Sequence, residues 1–179
     1  MTKKIRSVSN TCIIMLVCIG INYMGKVLAA DWHLPLWMDS IGTGMSACLL
    51  GPFFGALCGA TNNILYGMRN VTSYAYAFTS VAIAIVMGIC MRRHMIRDWF
   101  GVFTTSALVS AVAVIVSTPF NLIFFQGYNG NLWGDALFDM FRYYRIPVVI
   151  ASGLSELLVD FPDKVVTVCI IFGILGIIK

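Results

Sequence analysis

Apolar runs long enough to cross a lipid bilayer follow one another along almost the whole of this chain, with charges confined to short clusters and a few interior positions. A bilayer core offers no water to the backbone, so runs of this length must satisfy their own amides and carbonyls as helices. Of 179 residues, 59% are hydrophobic and 11% charged, against about 25% charged in an average soluble domain. The deficit extends over the full length, so the expectation is one integral membrane domain, 1–179, with no soluble catalytic domain. The net charge of +4 is modest and sits in short clusters, which argues against nucleic acid as a partner.

Hydropathy and breaker residues divide the chain into six spans, at about 11–30, 38–50, 53–68, 74–91, 101–125 and 147–178. The basic N-terminus (Lys3, Lys4, Arg6) precedes an apolar run of about 20 residues, read as a first transmembrane helix rather than a signal peptide. Gly51-Pro52 separates the second span from the third. Were 38–68 a single kinked helix, five spans would place the Arg92-Arg93-His94 to Arg97 loop opposite the basic N-terminus. Six spans put both basic clusters on one side, which the positive-inside rule makes the cytoplasm. The expected fold class is therefore all-α integral membrane: six transmembrane helices in a compact bundle, both termini cytoplasmic. The second span is short, since about 13 residues rise about 20 Å against about 30 Å of hydrocarbon. It must tilt or begin inside the protein. The sixth contains Pro162, which frees the carbonyl of Leu158 and is expected to kink the helix. Between the fifth and sixth lies a polar and aromatic stretch, 126–145, with the amphipathic segment LWGDALFDMFRYY.

A charge at the bilayer centre costs about 2.5–3.5 kcal/mol on insertion scales, so interior charges must face the bundle. On the sixth span Glu156, Asp160 and Lys164 are spaced i, i+4, i+8, with Asp163 at i+7, and share one helical face. Glu156 and Asp160 are candidate ligand contacts; Asp160, Asp163 and Lys164 can equally form an internal ion pair. On the third span Asn62, Asn63 and Tyr66 either offer polar groups to a cavity or join helices by hydrogen bonds. Asp39 either contacts a ligand or caps the second span. Trp32, Trp37, Tyr74 and Trp133 suit a pocket for a planar ring, or else belong to an interfacial aromatic belt with Tyr23, Tyr76 and Tyr128. Asn121, Gln126 and Asn129 are weaker candidates. Gly55 and Gly59, with Ala56 and Ala60, form a small-residue stripe that either packs helices internally or docks a partner. The six cysteines lack CxxC spacing and the two histidines lie far apart, so no metal site is expected. No nucleotide-binding glycine loop and no catalytic triad can be assembled, so the chain does not read as an enzyme.

The blocks LPLWMDSIGTGMSACLLGPFFGALCGATNNILYG (34–67) and SELLVDFPDKVVTV (155–168), set within six spans, resemble an S component. S components are the membrane-embedded, substrate-capturing subunits of energy-coupling factor (ECF) transporters. The resemblance covers most of the chain and implies a prokaryotic plasma membrane and tight capture of a water-soluble vitamin or related micronutrient from outside. It further implies docking to a module of one transmembrane coupling protein and two ATPases, with no cofactor. The implied pocket draws on Trp32, Trp37, Asp39, Asn62, Asn63, Tyr66, Tyr74, Glu156 and Asp160. Members commonly dock through an Ala-xxx-Ala pattern on the first helix. This first helix offers Cys18, Gly20 and Gly25 instead, which leaves the Gly55/Gly59 and Ala56/Ala60 stripe as the substitute. The acidic set favours a neutral or cationic ligand over a multiply anionic one, and aromatics favour a planar ring; a pyridoxine or pyridoxamine type fits. The alternative is a polytopic membrane sensor or assembly protein whose polar face mediates protein contacts.

Overall fold

The computed structural model describes residues 8–178, so Lys3, Lys4 and Arg6 lie outside the described residues. Seven α-helices follow in order: α1 (Val8–Asp31), α2 (Ile41–Leu49), α3 (Pro52–Gly67), α4 (Ala77–Arg92), α5 (Trp99–Phe125), α6 (Leu132–Tyr143) and α7 (Val148–Ile178). A short 3-10 turn, Val71–Tyr74, precedes α4, and no strand occurs among the described residues. Of these helices, α1 and α5 are long and apolar enough to cross a membrane by length and composition.

Local chemistry explains several boundaries. Gly51 takes φ 107°, a conformation that disfavours side chains, and Pro52 opens α3 at the first helical position, where its missing N–H costs nothing. The Asp98 carboxylate accepts from the Gly101 amide to cap α5, and Asn131 accepts from the Trp133 and Gly134 amides to cap α6. The chain remains helical through Pro162 in α7.

The centre of the bundle is α2, which touches α1, α3, α4 and α7. Every residue from Ile41 to Ala47 is buried, as a helix enclosed on all sides must be. It is short because it starts inside the protein: the preceding chain, 32–40, descends into the bundle before turning into helix. A buried loop would leave amides unsatisfied. Here Asp163 of α7 accepts from the Trp37 amide at 3.1 Å and the Met38 amide at 2.7 Å. At the start of α2, Asn22 of α1 accepts from the Gly42 amide at 2.7 Å and donates to Thr43 Oγ1 at 2.8 Å. The N-terminal amide of α2 is thus satisfied from a neighbouring helix, and Asp39 does not cap it.

Small residues set the helix spacing. A Cβ on Gly42 would collide with the carbonyl of Cys18, backbone against backbone. Gly42→Ala is accordingly expected to cost about 2 kcal/mol by overpacking, read as a Tm about 6 °C lower in detergent. Gly55 lies against Ala47, and Gly59 against Thr43 and Ser80. The glycines of the stripe assigned to partner docking therefore face α2 and α4, where no partner can reach them. Ala56 and Ala60 are half-buried.

Among the described residues, more polar than apolar side chains are buried, while Leu16, Phe53, Phe78, Phe103, Ile115 and Phe161 are exposed. This inverts the pattern of a water-soluble domain. The loops 32–40 and 68–76 and the segment 126–147 that carries α6 meet at one end of the bundle, where all three line one cavity and Asn131 donates to the Leu34 carbonyl. Loops 50–51 and 93–98 lie at the other.

Candidate functional site

The site is built from buried polar side chains, most of them on helices that the apolar exterior obliges to turn a polar face inward. On α1, Asn22 and Lys26 are one turn apart and both buried. Lys26 Nζ reaches Asp39 at 3.1 Å, Asn63 Oδ1 at 2.8 Å and Ser73 Oγ at 2.8 Å. It also lies 5.0 Å from the centre of the Tyr66 ring. Asn63 in turn donates to Ser80 Oγ at 2.7 Å. One ammonium group therefore ties together α1, the descending loop, α3, the 3-10 turn and α4.

On α7, Lys164 Nζ contacts Asp160 Oδ1 and Asp163 Oδ2, both at 2.7 Å. One turn nearer the loop-rich end, Glu156 accepts from Asn121 Nδ2 at 3.3 Å. Tyr76 donates to Asn121 Oδ1 at 2.6 Å. Two cavities lie among these groups. The outer, of about 340 Å³, opens between the end of α1, the descending loop, Tyr66, the 3-10 turn and segment 129–135. The inner, of about 40 Å³, lies between Asp39, Thr79, Glu156, Asp160 and Lys164. Lys26, Trp37 and Tyr76 line both, and the Trp37 and Tyr76 ring centres stand 6.3 Å apart.

Above the outer cavity, Asn131 Nδ2 donates to the Leu34 carbonyl at 3.1 Å. Trp133 Nε1 donates to the His33 carbonyl at 2.8 Å. Asp135 accepts from the Asn129 and Gly130 amides at 2.9 and 3.1 Å. Burial raises the Asp135 carboxyl above its ordinary range, more than those two amides lower it. A raised folded-state value means the folded protein holds this proton more tightly. The stabilisation is complete below the ordinary carboxylate range and is lost as pH rises through the folded-state value. Asp135→Asn keeps an oxygen for both amides and abolishes the titration. The Tm of the wild type relative to this variant is expected to fall as pH rises from about 4 to about 7.

The structure brings Trp37, Asp39, Tyr66, Glu156 and Asp160 to the two cavities, with Lys164. Other candidates lie elsewhere. Trp32 is 68% exposed and lines neither cavity. Tyr74 packs over Gly67, and Trp133 is 53% exposed at the rim. Asn63 acts through Lys26, while Asn62 is fully buried away from both cavities with neither polar atom partnered. The principal residue that sequence reasoning missed is Lys26, with Asn22 and Asn131. The signal available was the stripe Cys18, Asn22, Gly25, Lys26 and Ala29, which falls on one helical face and is buried throughout. Among the described residues, no three His, Cys, Asp or Glu side chains converge as metal ligands. Comparison with known proteins finds no matching family model, no matching curated protein and no matching solved structure.

Proposed function

We propose that this chain is the substrate-capturing S component of an ECF-type importer, held in a prokaryotic plasma membrane by six spans. The exposed apolar side chains on α1, α3, α4, α5 and α7 support immersion in lipid. In this reading the descending loop and α2 together make the second crossing, and α6 lies at the interface. The basic loop with Arg92, Arg93 and Arg97 is at the end opposite the cavities. By the positive-inside rule the cavities then open outward and both termini face the cytoplasm.

The observation that carries the reading is the outer cavity. Its volume of about 340 Å³ falls at the small end of ligand pockets, which run about 300–1,000 Å³. Trp37, Tyr66 and Tyr76 offer apolar faces, and Asn70 and Asn129 offer amide groups for orientation. A compact planar ring with polar substituents, of the pyridoxine or pyridoxamine type, meets those demands. The chain carries no nucleotide-binding glycine loop, so inward release depends on docking to a coupling protein and two ATPases.

The test is affinity purification from a native membrane together with calorimetric titration of the detergent-purified chain with pyridoxine and pyridoxamine. The expected result is co-purified ATPase subunits and saturable binding, weakened at least tenfold, or about 1.4 kcal/mol, by Trp37→Ala. Partners that are not ATPases, together with no bound small molecule, would favour the sensor or assembly reading.

A further inference from the structure

The charged side chains that line the inner cavity do not balance: three carboxylates, Asp39, Glu156 and Asp160, face two ammonium groups, Lys26 and Lys164. Asp39 is matched by Lys26. Asp160 is matched by Lys164, which Asp163, outside the cavity, also engages while accepting from the Trp37 and Met38 amides. Glu156 is the one left over: its 3.3 Å contact comes from the neutral Asn121 amide rather than from a cation. Glu156 and Asp160 are 4% and 3% exposed. Buried charges left unmatched are costly, and a cation from outside would offset them.

Unpartnered polar atoms face the same cavity. Asp160 Oδ1 is engaged by Lys164, but Asp160 Oδ2 has no partner among the described residues. From α4, across the cavity, Thr79 is 8% exposed and its Oγ1 also has no partner. The nearby side chains of Ser110 and Asn129 do not satisfy these atoms, being themselves unpartnered. Glu156, Asp160 Oδ2 and Thr79 Oγ1 thus offer three acceptors around one cavity.

We infer that the inner cavity is an ammonium pocket, which receives a protonated primary amine carried by the captured molecule and holds it with Glu156, Asp160 and Thr79. An ammonium group has three N–H donors for three acceptors. The space of about 40 Å³ is ample for one such group, since a single water needs about 10–15 Å³ on the same measure. A quaternary ammonium has no N–H to donate to these acceptors. A hard metal cation such as calcium needs about six to eight oxygens, and no such ligand cluster is found among the described residues. The source of the amine rests on the capture reading. Because Trp37 and Tyr76 line both cavities, a ring lodged in the outer one can send an aminomethyl substituent past them into the inner. Pyridoxamine is then preferred to pyridoxine.

The pocket is tested without knowing the ligand, by thermal unfolding of the detergent-purified full chain in methylammonium, sodium or choline chloride at equal ionic strength. Methylammonium is expected to raise Tm saturably, by about 3 °C or more, and choline, whose nitrogen has no N–H to donate, to give no such rise. Glu156→Gln is expected to raise the Tm of the ligand-free protein by relieving the charge excess, and to abolish the methylammonium response. Thr79→Val, which changes no charge, is expected to weaken that response and serves where Glu156→Gln does not fold. The inference is overturned if methylammonium has no effect, if choline or sodium matches it, or if the folded variants respond as the wild type does. An absent vitamin in the purified protein would count against the capture reading and leave this result standing.

Discussion

Asp163→Ala is expected to lower the Tm of the purified protein by about 10 °C, the largest single effect foreseen, from a loss of about 3–5 kcal/mol. The reason lies in how many buried groups depend on one carboxylate. Asp163 accepts from the amides of Trp37 and Met38, from Ser40 Oγ at 3.4 Å and from Lys164. Without it two loop amides lose their acceptor inside the bundle, and the descent of residues 32–40 loses its anchor on α7. Asp163→Asn is expected to be intermediate, since it keeps an acceptor oxygen and gives up the charge. A Tm for the alanine variant within about 2 °C of wild type, less than about 1 kcal/mol, would contradict this role.

Lys26→Met is expected to cost about 3 kcal/mol, a Tm lower by about 8 °C, and to abolish ligand capture. The substitution keeps an apolar stem of similar length but removes the partner of Asp39 and the donor to Asn63 and Ser73. The check is a double-mutant cycle. Because removing both members of a buried pair is far milder than removing one, Lys26→Met with Asp39→Asn should recover most of the lost Tm. Capture should stay lost, since Lys26 lines both cavities. A double variant no more stable than the single would show that Lys26 stabilises the fold by other means.

Helix positions were legible because apolar runs and breakers such as Gly51-Pro52 act locally. The α7 charges were legible for a related reason: carboxylates and a lysine in an apolar helix are too costly to face lipid, and their one-turn spacing fixes a common face. Lys26 escaped notice because a lysine five residues from a helix end is ordinarily read as reaching for the interface. The packing of α1 against the descending loop and α3 turns it inward. The aromatic candidates divided for a reason that no local pattern carries. Trp37 enters the cavities because Asp163, 126 residues later, holds its amide. Trp32 and Tyr74, of similar composition and setting, have no such tether. The rim contact between Asn131 and Leu34 spans 97 residues in the same way.

The central claim, that this chain captures a small molecule, is tested most directly by denaturing the detergent-purified protein and identifying the released compounds by mass spectrometry against a mock purification. The account predicts a near-stoichiometric, compact, planar compound bearing an amine, and its absence from Trp37→Ala protein purified in the same way. Folded wild-type protein that releases nothing above the mock, and binds nothing when the candidate vitamins are added back, would contradict it.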